Sequence, residues 1–193
     1  ALTPQERRSV GSLAAIYATR MLGLFLLLPV LALHARDLPD YTPVLLGLAM
    51  GAYGLTQALL QIPFGRWSDR VGRKPVIAVG LALFAVGSLI GVLAQSVAML
   101  IVARSVQGAG AVSAAVSALL ADLTRPEVRT RAMAVVGASI GLSFVLALVL
   151  APVLDAVIGV PGIFVLMLVM ALSGLLLLGV AVPPEPVRSG GAD

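Results

Sequence analysis

Two arginines, Arg20 and Arg104, lie inside long apolar runs of this sequence, where a permanent positive charge has few favourable surroundings. A charged residue at the centre of a membrane-spanning helix costs about 2.5–3.5 kcal/mol on insertion scales, so it usually faces a polar cavity or a partner. We therefore predict that both face a polar interior and that Arg20 lines a substrate cavity there. Two alternatives stay open: Arg20 snorkels to the nearest membrane interface, or Arg104 only forms hydrogen bonds between helices.

Uncharged polar residues form a second pattern, which suits hydrogen bonding to a ligand. Tyr53, Gln57 and Gln61 recur at intervals of four residues, which places them on one face of a helix. Ser139 and Ser143 make a shorter stripe of the same kind. We predict that both stripes face the substrate cavity, the alternative being that they only join neighbouring helices.

The densest charge cluster is GRWSDRVGRK, residues 65–74, with four of the thirteen Lys and Arg residues of the chain and one carboxylate. Such a cluster cannot lie in hydrocarbon, so we predict a water-facing loop between two membrane spans. Gly65 is predicted to end the preceding helix and to let the chain turn. Arg70 and Arg73 are expected to reach an acidic partner, for which Asp122 is the best placed.

The elements that position these residues follow from composition. Hydrophobic residues make up 60% of the 193 residues and charged ones only 11%, whereas soluble domains carry about 25% charged residues. The apolar runs continue for about 20 residues, the length of a transmembrane helix, and lack the alternation of a transmembrane β-barrel. We predict an all-α membrane protein with six transmembrane helices, at about 13–33, 44–64, 75–94, 97–121, 132–154 and 162–182.

The basic residues set the predicted orientation, since cytoplasmic segments collect Lys and Arg. With the N-terminus inside, ten basic residues flank the cytoplasmic ends of the spans and only Arg36 lies outside. Both termini are therefore predicted to be cytoplasmic. The predicted organisation is a cytoplasmic N-terminal segment 1–12, a transmembrane bundle 13–182, and a Pro- and Gly-rich, linker-like tail 183–193. Membrane lipid is the expected surrounding partner.

The first three spans weakly resemble the last three. Arg20-Met-Leu-Gly23 in the first span is echoed by Arg104-Ser-Val-Gln-Gly108 in the fourth. Gly51-Ala-Tyr-Gly54 in the second span is echoed by Gly137-Ala-Ser-Ile-Gly141 in the fifth. Because the first and fourth spans run in opposite directions, we predict a 3+3 inverted repeat, an arrangement found in transporters.

Several classes of function are excluded by what the sequence lacks. It has no cluster of metal-ligating residues, no nucleotide-binding loop and no nucleophile–base set, so no enzyme, cofactor or metal site is predicted. Because the chain has no cysteine, disulfides and thiol chemistry are excluded. The net charge of +4 is explained by membrane orientation, so no nucleic acid partner is expected.

Two motifs carry a family resemblance. Gly65-x-x-x-Asp69-Arg70-x-Gly72-Arg73-Lys74 resembles the signature between the second and third spans of the major facilitator superfamily. Arg104-x-x-Gln107-Gly108-x-Gly110 resembles the fourth-span motif of the same superfamily. The fifth span keeps Pro152 but lacks the glycines of the family's antiporter motif. The resemblance covers nearly the whole chain and is greatest to bacterial inner-membrane members, which implies that location.

The resemblance implies alternating access, in which two six-helix bundles rock about a central cavity. This chain would then be the N-terminal half, its partner the C-terminal half, and its activity the proton-coupled export of an unidentified small molecule. A gating switch is implied at Gly65, Asp69, Arg70, Gly72, Arg73, Lys74 and Asp122. Proton coupling is implied for Arg104, Gln107 and Asp122. Two alternatives stay open: a half-transporter that works as a homodimer with a second copy, and a membrane scaffold that transports nothing.

Overall fold

The computed structural model describes residues 2–184, and the regular structure of this part of the chain is entirely α-helical. The predicted all-α class is therefore confirmed. The helical segments in chain order are α1 (Pro4–Arg36), α2 (Pro43–Val71), α3 (Arg73–Val92), α4 (Val97–Ala109), α5 (Ser113–Asp122) and α6 (Pro126–Val180). From position 185 onward the predicted tail lies outside the described residues.

Within residues 2–184, five helical stretches are long and apolar enough to cross a membrane, rather than the six predicted, with α4 and α5 counted together. The difference arises in α6, which is 55 residues long and contains both of the last two predicted spans. At 1.5 Å per residue, a straight helix of this length would measure about 80 Å, more than twice the hydrocarbon thickness of about 30 Å. The 3+3 inverted repeat stays a prediction.

Gly159 divides α6 into two arms, because its backbone leaves the helical region at φ 67° and ψ 176°. The first arm packs beside α1 and runs in the same direction. Near its start, Arg125 pairs with Glu6 at 2.9 Å. Further along, the Ser143 hydroxyl donates a hydrogen bond to the Ala18 carbonyl at 3.0 Å.

The second arm of α6 returns antiparallel to α1. Its end meets the start of α1, where Arg8 donates hydrogen bonds of 3.0 Å to the carbonyls of Val180 and Ala181. Earlier in the arm, Met167 packs so closely on α1 that a Cβ on Gly23 would lie 3.1 Å from its Cγ. The α6 helix is therefore a hairpin, and α1 packs against both of its arms.

The fourth predicted span is interrupted between Ala109 and Ser113, which makes α4 and α5 separate helices. At this break the chain passes very close to α3. A Cβ on Gly110 would overlap the Gly80 carbonyl, and a Cβ on Gly80 would overlap the Val112 side chain. Glycine at both positions permits an approach that a side chain would prevent. The break also frees backbone carbonyls inside the bundle, and these need other donors.

The basic stretch 65–74 is mostly helical, so the prediction that it forms a loop is wrong. The α2 helix continues to Val71, α3 begins at Arg73, and only Gly72, at φ 105°, stands between them. Gly65 does not end a helix, because that role belongs to Gly72, whose backbone conformation side chains disfavour. The intervening Arg, Trp, Ser and Asp residues tolerate helical dihedral angles, so α2 extends beyond its apolar part.

The N-terminal segment and the second charged connection also become helical. The α1 helix begins at Pro4 and runs through the predicted boundary at residue 12. Thr3 and Glu6 form a capping box at its start, in which the Thr3 backbone N–H donates to Glu6 Oε2 at 2.8 Å. Between α5 and α6 only residues 123–125 are non-helical.

The core consists of two apolar clusters stacked along the helices. On α1 one cluster ends at Ile16 and the other begins at Met21, and Arg20 lies between them. On α4 the cluster that begins at Met21 on α1 also includes Leu100, and Arg104 follows one turn later. A layer of polar side chains therefore separates the two clusters in the middle of the bundle.

Candidate functional site

We call this separating group the polar layer, formed by the buried side chains of Arg20, Tyr53, Ser88, Arg104 and Gln107. Arg104 is only 1% exposed, and its Nη1 donates a hydrogen bond to Gln107 Oε1 at 3.1 Å. Gln107 Nε2 donates in turn to Ser88 Oγ at 3.0 Å, and Ser88 donates to the Phe84 carbonyl at 2.7 Å. These bonds tie α4 to α3 and hold the guanidinium in place.

Arg20 is 2% exposed and does not snorkel to an interface. Its Nη2 donates a hydrogen bond of 2.7 Å to the carbonyl of Gly110. That carbonyl is one of those freed at the break between α4 and α5, so α1 supplies the donor that the interrupted helix lacks. The Arg20 guanidinium thus gains an acceptor, and the Gly110 carbonyl gains a donor in place of the missing helix N–H.

The ring of Tyr53 lies beside both arginines. The guanidinium carbon of Arg104 is 4.9 Å from the ring centroid, and that of Arg20 is 5.7 Å from it. Arg20 also lies 5.5 Å from the ring centroid of Phe84. Cation–π contacts of this kind are worth about 2 kcal/mol or more when desolvated, so the rings offset part of the cost of burial.

The two arginines retain unused hydrogen-bond donors. Nε and Nη1 of Arg20 and Nε of Arg104 are buried and make no hydrogen bond, and the buried Tyr53 hydroxyl makes none either. No carboxylate among the described residues forms an ion pair with Arg20 or Arg104, whereas Arg73 and Arg125 each have a carboxylate partner. The polar layer therefore holds two positive charges without a described counter-ion.

An open groove of about 530 Å³ lies beside the polar layer, on the face shared by α1, α2 and the first arm of α6. Its walls are Tyr17, Met21, Leu24, Tyr53, Gly54, Gln57, Ala58, Gln61 and Ile140. Tyr53, Gln57 and Gln61 thus lie on one face that borders the groove, whereas Arg20, predicted to line the same cavity, is not among its walls. That these residues bind a substrate stays a prediction. The Oε1 atoms of both glutamines are buried and accept no hydrogen bond, so their acceptor capacity is unused.

The predicted serine stripe does not line this groove. Ser143 donates to the Ala18 carbonyl at 3.0 Å and to the Ser139 carbonyl at 2.8 Å, and Ser139 donates to the Val136 carbonyl at 2.7 Å. Both hydroxyls are therefore engaged with helix backbone. Of the wall residues that the sequence analysis missed, Tyr17 is the polar one, and it lies almost one turn before Arg20 on α1.

A second concentration of charge, which we call the charged rim, lies at the helix ends opposite the α1–α2 connection. Its members are Glu6, Arg8, Asp69, Arg73, Lys74, Asp122 and Arg125. Arg73 lies 2.5 Å from Asp69 Oδ1 and 3.5 Å from Asp122 Oδ2. It also donates to Ser68 Oγ at 2.7 Å. The expected contact between Arg73 and Asp122 is thus present, whereas Arg70 is exposed.

Other cations of the rim hold the end of α6. Lys74 Nζ donates to the Val182 carbonyl at 2.8 Å, beside the carbonyls that Arg8 binds. Cations at the C-terminal end of a helix satisfy its last carbonyls and interact favourably with its dipole. Arg125 bonds Glu6, and this carboxylate raises the pKa of the Arg125 guanidinium.

Asp40, between α1 and α2, caps a helix that lies far away in the sequence. Its carboxylate accepts hydrogen bonds from the backbone N–H groups of Val97 and Ala98 at 2.6 and 3.0 Å, at the start of α4. The N–H groups of Ala98 and Val97 hold the pKa of this carboxyl below its usual value. Asp40 therefore ties the α1–α2 connection to α4 on the side opposite the charged rim.

Comparison with known proteins places this arrangement in a family. The family model described as Major Facilitator Superfamily matches residues 13–193. The inner membrane transport protein YajR of Escherichia coli (strain K12) is 50% identical over 114 residues, which are 59% of this chain and 25% of YajR. Multidrug resistance protein D of the same strain is 38% identical over 98 residues, which are 51% of this chain and 25% of that protein.

A solved structure shows the same fold over nearly the whole chain. The crystal structure of the human organic anion transporter MFSD10 (TETRAN) superposes with a TM-score of 0.77 at 25% identity. The superposition covers 94% of this chain and 48% of that transporter. The chain therefore spans about half the length of MFSD10, and its matched segments make up about a quarter of the curated relatives.

Proposed function

The chain belongs to the Major Facilitator Superfamily, and we propose that it is the N-terminal half of a secondary active transporter that exports small molecules by alternating access. The observation that carries this proposal is the groove of about 530 Å³, one wall of which is Tyr53 of the polar layer. A concave site with an apolar wall and a few convergent polar groups suits a small molecule. Similarity to Multidrug resistance protein D supports export as the direction.

In the proposed half, α6 supplies two membrane crossings, so the chain has six in a 3+3 inverted repeat. The length of α6 supports this, because one crossing needs only about 20 residues and the helix folds back at Gly159. The polar layer adds support, since the first three crossings contribute Arg20 and the second three contribute Arg104. The bias of Lys and Arg supports cytoplasmic termini, and similarity to YajR supports the bacterial inner membrane.

The gating switch that we propose is the cluster around Arg73. Arg73 is the first residue of α3, at the positive end of that helix dipole, and Asp122 is the last residue of α5, at a negative end. Each charge lies at the unfavourable end of its own helix, so each is stabilised by the other, and Arg73 is stabilised by Asp69 as well. Release of this pair lets α3 and α5 separate, and Gly72 is the hinge between α2 and α3.

The remaining members of the switch have separate parts. Lys74 anchors the end of α6 through the Val182 carbonyl, and Asp69 holds Arg73 when Asp122 lets go. Gly65 allows close packing of α2 on α5, where a Cβ would sit 3.6 Å from the Ala114 side chain. Arg70, which is exposed, contacts the C-terminal half.

Proton coupling is assigned to Arg104, Gln107 and Asp122. The described carboxylates lie near helix ends and turns rather than in the polar layer, so the proton is carried by Asp122 or by an acid of the C-terminal half. Protonation of Asp122 would remove the charge that binds Arg73 and thereby open the gate. Arg104, held by Gln107, links the state of the groove to this event through α4 and α5.

The test is transport in vesicles with an imposed proton gradient. The chain is reconstituted alone and together with its complementary half, and a pH-sensitive dye reports proton flux while a panel of compounds is offered. Substrate-dependent proton flux only with both halves present is the expected result. Flux with this chain alone would favour the homodimeric half-transporter. Neither transport nor flux with any compound would contradict the proposal and favour the scaffold.

A further inference from the structure

The charge balance of the polar layer points beyond transport in general to one class of substrate. Arg104 and Arg20 are 1% and 2% exposed and flank a single aromatic ring. A guanidinium does not lose its proton in proteins, so neither charge can be removed by titration. An isolated charge is costly to bury, and cation–π contacts offset only part of that cost. The layer is therefore complete only when a negative group joins it.

The unused donors define the chemistry of that group. Nε and Nη1 of Arg20 and Nε of Arg104 are buried N–H donors without acceptors, and Tyr53 adds a buried hydroxyl. Arginine has donors and no acceptor, so the missing partner must be an acceptor. Oxygen anions such as carboxylate, sulfonate and phosphate carry the opposite charge and accept hydrogen bonds from guanidinium N–H groups.

The groove supplies the rest of the recognition. Tyr53 contacts both guanidiniums and is at the same time a wall of the groove, so the two regions meet at its side chain. Met21, Leu24 and Ile140 form an apolar surface on the other walls. The unused Oε1 atoms of Gln57 and Gln61 are acceptors, which suit a donor group on the bound molecule.

We propose that the groove binds an organic anion, with its anionic head at Arg20, Tyr53 and Arg104 and its apolar body against Met21, Leu24 and Ile140. A hydroxyl or amide N–H of the molecule donates to Gln57 or Gln61. This inference rests on the proposed transport function, for which it names the substrate class. The bound anion supplies acceptors to the unused donors and offsets part of the positive charge, so binding draws Arg20 and Arg104 into one site that joins α1, α2 and α4.

The test uses three probes of similar shape: 4-hydroxybenzoate, the neutral 4-hydroxybenzamide and the cationic 4-hydroxybenzylammonium. Each is added to the chain in nanodiscs of uncharged lipid at constant ionic strength, and the thermal unfolding temperature and Kd are measured. The expected result is stabilisation by the anion alone. Preference for the cation, equal binding of all three, or no binding of the anion would overturn the inference.

Variants locate the binding. Arg20→Gln and Arg104→Gln should each weaken anion binding by roughly tenfold or more, because a hydrogen bond to a charged group is worth about 1.5–3 kcal/mol. Tyr53→Phe should weaken it less. The matched control is Arg36→Gln, which removes an exposed arginine of the same helix α1 and should leave Kd unchanged. If the buried variants do not fold, the order of the three probes on the unmodified chain decides the question.

The anion site and the transport function can be contradicted independently of each other. Proton-linked transport of cations without binding of 4-hydroxybenzoate leaves the transporter proposal intact and removes the anion site. Binding of the anion that depends on Arg20 and Arg104, without transport in vesicles, leaves the anion site intact and removes the transporter. Loss of anion binding in the Arg36 control would also overturn the assignment, because the effect would then be one of net charge.

Discussion

The polar layer and the charged rim differ in whether their cations have partners that neutralise them. In the rim, Arg73 meets Asp69 and Asp122, Arg125 meets Glu6, and other cations bind helix carbonyls. In the polar layer, two less exposed arginines share a ring and have no described carboxylate. Burial makes charges more costly, so stability alone would favour the reverse arrangement. The rim pairs hold helix ends, whereas the polar layer leaves buried donors unused, which is the observation on which the proposed anion site rests.

The largest effect is expected for Arg104→Ala, which removes both a charge and the bond to Gln107 from the polar layer. We expect transport to fall by roughly tenfold to a hundredfold, because hydrogen bonds to charged groups contribute about 1.5–3 kcal/mol. The protein should remain folded, which circular dichroism and size-exclusion chromatography check. Arg104→Lys, which keeps the charge but loses the planar donors, should be intermediate. Unchanged transport in Arg104→Ala would remove the functional role of the layer.

Glycine substitutions test whether the layer is packed more tightly than the rim. A Cβ on Gly87 would lie 2.6 Å from the Gln107 side chain and 2.8 Å from the Ala103 carbonyl, so Gly87→Ala must displace backbone. We expect destabilisation of about 1–3 kcal/mol or more, measured by thermal or denaturant unfolding in detergent. The control near the rim is Gly179→Ala, where a Cβ meets nothing within 4 Å and no loss is expected. Equal destabilisation by Gly87→Ala and Gly179→Ala would contradict the tighter packing of the polar layer.

The rim is tested by a double-mutant cycle on Arg73 and Asp122. Each single variant, Arg73→Gln or Asp122→Asn, should lower the transport rate by up to about tenfold by leaving the other charge at the unfavourable end of its helix. The double variant should lose less than the sum of the two, because the pair acts as a unit. Additive losses in transport assays would show that the contact has no part in gating.

The smallest effect is expected at Asp40. Because hydrogen bonds from Ala98 and Val97 lower the pKa of this carboxyl, its stabilising contribution is present above the unfolded pKa of about 3.9 and is lost as pH falls through the folded pKa. The unfolding temperature of Asp40→Asn should therefore lie slightly below that of the unmodified chain at neutral pH, and the difference should vanish in acid. Asp37→Asn, an exposed neighbour, is the control. A constant difference across pH would contradict this assignment.

Features that depend on local pattern could be predicted from the sequence. The helical class follows from apolar runs, and the shared face of Tyr53, Gln57 and Gln61 follows from their spacing. The contact of Arg73 with Asp122 was expected because both flank apolar runs that end on the same side. Tyr17 could have been found as well, since three residues before Arg20 is almost one helical turn.

Features that depend on distant packing could not be predicted. The break before Ser113 lies where Gly110 approaches Gly80 of α3 closely. The sequence around either glycine does not indicate this contact. The continuation of α2 through Arg70 shows that a dense charge cluster does not by itself indicate a loop, because Arg is a good helix former. Asp40 reaches α4 across 57 residues of sequence, a separation that no local pattern encodes.

The bond between Arg20 and Gly110 has a consequence for the order of synthesis. The acceptor lies 90 residues after the donor in the chain. At about 5–20 residues per second, a ribosome reaches Gly110 roughly 5–20 s after it has completed Arg20. Through that interval the first helix carries a guanidinium whose final acceptor does not yet exist. The polar centre of the bundle can therefore close only after the break between α4 and α5 has been synthesised.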